Sequence, residues 1–298
     1  MKSTRQAFGE ALITLGETFP HIVVLDADLS KSTRTELFSK KFPERFYQMG
    51  IAEANMLGTA AGLAFAGHIP FACSFGCFVT GRYDTIRMSI AYAGAPVCIV
   101  GTHAGLAVGE DGHSQMGLED VGLMRMLPGM AVMQPLHAAE TLAVMQHFIT
   151  TPQPMYLRLT RQDLPEMPLN DSWDPYTLRL IAGNPDASIA VIATGAPTFE
   201  LLDADTYSLW HATSLKPFDR VSMSKIASKA QHIITAEDHS TLGGLGSIVA
   251  EVLAELPKHG ILHRCGVQDT FGESGTREEL YQKHGISKEK LRALISSL

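Results

Sequence analysis

The chain has 298 residues, 45% apolar and 18% charged, with a net charge of −7 and a pI near 5.9. That composition excludes a disordered chain, and the acidic balance without any Lys/Arg run excludes nucleic acid as the main partner. The length is more than one ordinary core holds and points to two domains.

The first element is an amphipathic helix over residues 3–18; no apolar core of a signal peptide follows its basic residues. "HIVVLDADLS" (21–30) is a β-branched run that turns polar, the pattern of a buried parallel strand reaching its carboxyl end. A helix rich in Ala and Gly follows at 53–67, then a strand at 69–75, a helix at 83–94 and a strand at 95–105 that runs into a glycine-rich loop. A strand at 130–135, a helix at 137–150 and a strand at 154–161 complete the alternation, which implies a doubly wound parallel sheet. Periodicity is then lost in a stretch rich in Pro, Asp and Asn. A second α/β start, "SIAVIATG" (188–195), leads to strands at 232–239 and 261–269, a glycine-opened helix at 243–256 and terminal helices. The fold class is therefore α/β with two doubly wound domains: a parallel-sheet domain over 1–165, a linker over 166–187 and a smaller α/β domain over 188–298. Cys73, Cys77, Cys98 and Cys265 form no CxxC pair and read as reduced thiols of a cytoplasmic protein; no apolar stretch is long enough to span a bilayer.

Some stretches carry more chemistry than packing requires. Glu53, in "GIAEANM", is an isolated carboxylate among apolar residues, so it must reach water, find a donor or stay protonated. "CSFGCFVTGR" (73–82) sets Phe75 and Phe78 three apart at a strand end, either as plain core or as a wall for a flat ring. "GTHAGLAVGEDGHSQ" (101–115) puts His103 and His113 with an acidic pair in a loop after a buried strand, where open sheets bind ligands. "YLRLTRQDLP" (156–165) offers Arg158 and Arg161 as anion binders or as salt-bridged arginines. "GGLG" (243–246) opens a helix and could meet phosphate, but it lacks the full dinucleotide spacing, and close packing is the simpler account.

Taken together in this order, "GIAEANM", "SFGCFVTGR", "GTHAGLAVGEDG", "LTRQDLP" and "EDHSTLGGLGS" resemble the C-terminal half of transketolase: its pyrimidine-binding domain followed by its C-terminal domain. The chain looks most like the separate C-terminal subunit of split, two-gene transketolases. The resemblance implies thiamine diphosphate as cofactor, with Glu53 hydrogen-bonded to the aminopyrimidine and supplying the proton through which the cofactor becomes active. It implies that Phe75 and Phe78 pack the pyrimidine, and that Asp28 and Leu29 line the thiazolium side. Asp111 matches the residue that reads the donor hydroxyls, while His103, Ser32 and Arg161 match those that hold the phosphate end of the sugar. Gly81, beside Arg82, stands where full-length relatives have a third aromatic. The loop also departs from the family: counting back from Glu119, Gln115 occupies the place of a histidine at the reacting sugar, and His113 lies two residues earlier. Either His113 substitutes from a shifted loop, which makes Glu53 with His113 the catalytic pair and places Gln115 among the substrate contacts, or the donor site is altered. A second departure is the brevity of the stretch from Gly195 to Lys216, which brings the usual sheet of the second domain into question.

The family's diphosphate and Mg2+ motif is absent from the sequence. The resemblance therefore implies an N-terminal partner subunit carrying that site, in an α2β2 assembly, with sugar phosphates as substrates, no nucleic acid and no membrane. The alternatives are a 1-deoxyxylulose-5-phosphate synthase-like enzyme, a 2-oxo-acid dehydrogenase β-subunit-like enzyme (suggested by "HSQ"), a transketolase for a sulfo- or branched sugar, and a non-catalytic regulatory paralogue.

Overall fold

The computed structural model describes residues 1–170 and 172–298. In the first half the strands are β1 (Lys2–Ser3), β2 (Ile22–Asp26), β3 (Phe46–Gln48), β4 (Ile69–Phe75), β5 (Cys98–Thr102), β6 (Ala131–Met133), β7 (Met155–Arg158) and β8 (Asp163–Leu164). In spatial order β6-β7-β5-β4-β2-β3 they form a parallel sheet, while β1 pairs antiparallel with β8 and ties down the N-terminus. β2, β5 and β7 are buried along their whole length because helices cover both faces. The helices Thr4–Thr18 and Ala138–Thr150 cover one face with Phe8, Leu12 and Phe148, and the helix Glu53–Phe65 covers the other with Met56, Leu57 and Ala60. Each large side chain buried in this way contributes about 1.5–3 kcal/mol. Ser3 starts the first helix by accepting the Gln6 N–H at 3.2 Å.

The second half contributes β9 (Arg179–Ala182), β10 (Ile189–Ala193), β11 (Ser208–His211), β12 (Ser214–Lys216), β13 (His232–Ser240) and β14 (Ile261–Val267). β14-β13-β10-β11 run parallel, and β9 closes the edge antiparallel to β11. β9 lies inside the stretch that reads as a plain linker; four residues before Gly183 are too few to show a strand period. The short segment from Gly195 to Lys216 keeps the sheet intact. A single 3-10 turn, Ala196–Leu201, takes the place of a longer helix, and β11 still pairs in register with β10. β12 crosses over and pairs antiparallel with β6 of the first sheet. One apolar core runs through both halves, joining Val132 and Tyr156 to Ile192, Met223 and Ile248. Among the described residues no helix is long and apolar enough to cross a membrane.

Two features of "EDHSTLGGLGS" are structural. The Leu245 and Gly246 N–H groups both donate to the Glu237 carboxyl at 2.7 Å, so the chain's own acid fills the helix N-terminus that a nucleotide would need. Burial pushes Glu237 up to about 8 against those two donors. Asp238 receives the Arg158 Nη1 at 2.8 Å, while Arg158 Nε donates to Asp120 at 2.9 Å and Tyr156 gives its hydroxyl to the same carboxylate at 2.7 Å. Arg158 is thus 1% exposed and fully engaged, a structural cation rather than a ligand for substrate.

Replacing Arg158 with Met leaves two buried carboxylates without a counter-charge. We expect a loss of about 3–5 kcal/mol in denaturant melts, largely recovered when Asp120→Asn and Asp238→Asn are added. Equal instability of the single and triple variants would assign the effect to packing instead.

Candidate functional site

The sheet changes winding direction between β2 and β4, since β3 lies beyond β2 on one side and β5 beyond β4 on the other. The carboxyl ends flanking such a switch form a crevice suited to ligands. The turn after β2 is held by Asp26, which is fully buried and accepts from the Leu29 N–H at 2.7 Å and from the hydroxyls of Thr33 and Thr35 at 2.7 and 2.8 Å. Burial raises the Asp26 carboxyl although these donors oppose it. This turn carries Asp28, Leu29, Ser32 and Arg34. Asp28 takes a left-handed backbone (φ 65°), is exposed, and donates its N–H to Gln48 at 2.7 Å.

β4 ends at Phe75 and leads into the short helix Gly76–Thr80 with Phe78. The two rings stack in parallel with centroids 5.4 Å apart, and His103, from the end of β5, stacks on Phe75 at 3.7 Å. His103 therefore covers a face of Phe75, and Phe78 is the less buried of the two phenylalanines. Glu53 begins the helix that packs against both Gly76–Thr80 and the turn Tyr83–Thr85. It is 5% exposed, with Arg82 Nε 3.9 Å from its carboxylate. The sequence offers no basic neighbour; the fold brings one from the position after Gly81.

Around His103 lies a concentration of positive charge. Arg5 Nη1 sits 3.1 Å from His103 Nε2 and donates to the Ser32 carbonyl at 3.0 Å. An arginine can only donate, so His103 Nε2 accepts, and Nδ1 carries the proton toward Thr102 Oγ1 at 3.0 Å. Burial, then Arg5, Arg161 and Arg34, bring His103 down to about 3. Burial first, then Arg34 and Arg161, lower Arg5 to about 10. The buried Nε atoms of Arg5 and Arg34 meet no acceptor. Arg161 binds Asp111 at 3.0 Å and the Val108 carbonyl at 3.1 Å, so two expected substrate contacts are paired with each other. Sequence reading missed Arg5 and Arg34: one sits in an ordinary amphipathic helix, the other in a polar turn.

The 113–115 turn packs on the aromatic wall, with Cys77 Sγ 3.5 Å from the Ser114 carbonyl. Burial pushes the Cys77 thiol up to about 12, which leaves it inert. His113 accepts the Gly272 N–H on Nδ1 at 3.1 Å, and Gln115 is half-buried beside it. Among the described residues no three His, Cys, Asp or Glu side chains converge as metal ligands.

A buried acid opens a helix that packs against the element carrying the stacked aromatics, and a cationic corner lies at the end of the neighbouring strand β5. The transketolase pyrimidine-binding domain matches residues 1–167, and the transketolase C-terminal domain matches residues 184–291. The chain belongs to the transketolase family. It is 39% identical to a protein of Methanocaldococcus jannaschii described as a transketolase C-terminal section, across 99% of this chain and 95% of that one. It is 36% identical to a 6-deoxy-6-sulfo-D-fructose transketolase subunit of Clostridium sp. (strain MSTE9), across 97% and 92%. Among solved structures it matches a split-gene transketolase, titled an inactive beta4 tetramer, at 39% identity with a TM-score of 0.87 over 99% of this chain and 97% of that one. This transketolase relative thus aligns end to end with C-terminal sections.

The neutral state of its buried histidines sets the response to acid. Burial lowers His239 to about 4, and His103 lies lower still. An unfolded histidine binds a proton near 6.5, so below that pH the unfolded chain takes up more protons. Stability is therefore full above about 6.5 and falls as the pH drops toward 4, by about 1.4 kcal/mol per pH unit for each such group. Melting temperatures measured between pH 7 and 5 should fall, and His103→Asn should flatten the slope. An unchanged slope in that variant would show that His103 is protonated in the folded chain.

Proposed function

We propose that this chain is the pyrimidine-binding half of a thiamine diphosphate-dependent transketolase, which moves a two-carbon ketol unit from a ketose phosphate to an aldose acceptor. The reading rests above all on Glu53, a carboxyl buried at the start of a helix that packs against the element carrying the Phe75–Phe78 wall, with the arginine corner at the end of the neighbouring strand β5. The cofactor, when bound, supplies the carbon nucleophile and the electron sink. The residues present suit its pyrimidine end: Phe78 offers an aromatic surface, and the Glu53 carboxyl would hydrogen-bond a ring nitrogen. Asp28 and Leu29 border the crevice opposite. His103, with its proton on Nδ1, presents no added positive charge, so Arg5, Arg34 and Arg161 orient the anionic end of the sugar, with Ser32 fixed beside them. Three guanidiniums against the two carboxylates of Asp111 and Asp163 leave net positive charge, which favours an anionic group on the sugar. Asp111 would exchange Arg161 for the sugar hydroxyls as the donor enters. His113, with Gln115, reaches the reacting end of the sugar.

We further propose that the diphosphate and Mg2+ are held by an N-terminal transketolase subunit, in an α2β2 complex in the cytoplasm. The exposed side of the helix Glu53–Phe65 supports this: Gly58 and Gly62 have nothing near them, and Ile51, Phe65 and Tyr92 are 82%, 63% and 83% exposed. A relative titled as an inactive beta4 tetramer agrees with a chain that needs a partner to work.

The test is co-expression with a diphosphate-domain subunit, then a screen of ketose phosphates and sulfo-ketoses with thiamine diphosphate and Mg2+. The complex should turn over a ketose phosphate and the isolated chain should not; turnover by the chain alone would end the split-subunit reading. Glu53→Gln should lower deuterium exchange at the thiazolium carbon at least a hundredfold, on the scale of a lost acid–base group, while the complex still forms. Normal exchange would remove Glu53 from the mechanism.

Arg34→Met should raise KM for the phosphorylated donor about tenfold, as expected for one lost charge-assisted contact, and leave KM for an unphosphorylated ketose unchanged. Equal effects on both donors would exclude an anion-binding role.

A further inference from the structure

The segment Asp269–Gly275 of the second half lies along the loop that carries Asp111 and His113. The Phe271 ring, 76% exposed, sits 4.5 Å from the His113 ring at an interplanar angle of 58°. The next residue, Gly272, gives its N–H to His113 Nδ1 at 3.1 Å. The approach is close because glycines line it. Met116 and Leu118 occupy the space a side chain at Gly272 would need, and Ser274 occupies the space beside Gly112. Behind this seam, Leu106, Val108, Met116 and Leu118 share a small core with Val267, Leu280 and Tyr281. His113, Glu119, Ser240, Asp269 and Phe271 together line an open cavity at the seam.

A backbone N–H can only donate. His113 Nδ1 must therefore accept, which leaves the ring proton on Nε2. The tilted Phe271 ring restricts how the imidazole can turn. We propose that Phe271 and Gly272 are positioning residues: the second half of the chain fixes the tautomer and the angle of His113, so that its Nε2–H is presented as a hydrogen-bond donor to the sugar. This deepens the transketolase reading and rests on it for the identity of the ligand. It does not rest on it for the state of the ring. It also gives the HSQ turn a physical account. His113 does the work of a loop histidine from an earlier position because a neighbouring backbone amide holds it.

Two measurements test the proposal. In the full chain with 15N-labelled histidine, long-range 1H–15N spectra should show His113, assigned by its loss in His113→Gln, as the Nε2–H tautomer alone. Gly272→Pro, which removes the amide proton, should give a mixture of tautomers. A mixed tautomer in the wild type, or an unchanged one in Gly272→Pro, overturns the proposal. Should Gly272→Pro fail to fold, a cycle in the assembled enzyme decides. Phe271→Ala should lower kcat/KM about fivefold where His113 is present and less than twofold in a His113→Gln background, and Phe271→Tyr should restore the rate. Equal losses in both backgrounds overturn it. Absence of turnover in the wild-type complex with every ketose would count against the proposed function, and the tautomer would still decide this inference.

Discussion

The structure hinges on one buried guanidinium. Arg158 ends β7, binds Asp120 in the first half and Asp238 in the second, and reaches the carbonyl of Gly117 at 3.0 Å. A cation with so little water is tolerable only between two carboxylates, and two carboxylates so close are tolerable only around a cation. Each partner fixes the next piece of chain. Asp238 leaves room only for a glycine at position 105, Gly105 donates its N–H to the Gly117 carbonyl, and the Ser240 N–H returns to Leu118. The loop from His103 to Glu119 is closed at its base by these contacts. The position of Asp111 and His113 on that loop depends on the ion triad underneath.

The cationic corner shows the opposite strategy. Arg5, Arg34 and Arg161 are brought together without a matching set of carboxylates, and the histidine among them is kept neutral. Such a cluster costs stability, and Asp26 bears part of the cost by tying down the turn through two threonine hydroxyls and one amide. The fold thus accepts repulsion between cations at the mouth of its sheet and sets opposite charges against each other at its centre.

The alternation of strands and helices was legible because parallel strands buried on both faces read as unbroken apolar runs, as in residues 22–26 and 98–102. Glu53 was legible because a charge among apolar residues needs a reason. Arg5 and Arg34 were not: their role arises from where two turns meet in space, and neither sits in a pattern that differs from a solvated arginine. Arg158 and Arg161 look alike in sequence, three apart after one strand. Only the packing makes the first structural, at 1% exposure, and leaves the second half-open toward Asp111. β9 was hidden by its length, and Glu237 by lying eight residues before the amide it caps.

The second half therefore acts on the loop of the first through geometry. It supplies Asp238 to the triad beneath the loop and the Gly272 N–H to the His113 ring, while Glu237 closes the second half's own glycine turn. A glycine-rich loop with residues 105, 109 and 112 at positive φ pays little to bend, but for the same reason it cannot hold a shape by itself. The second half supplies that rigidity, and it does so with amides and carboxylates whose directions are set by β13 and by the turn after β14. Glu53 needs no such help, because it opens a helix that Met56, Leu57 and Ala60 anchor in the core. Acid and loop histidine are thus fixed by different means, one by the core beneath it and the other by a neighbouring domain.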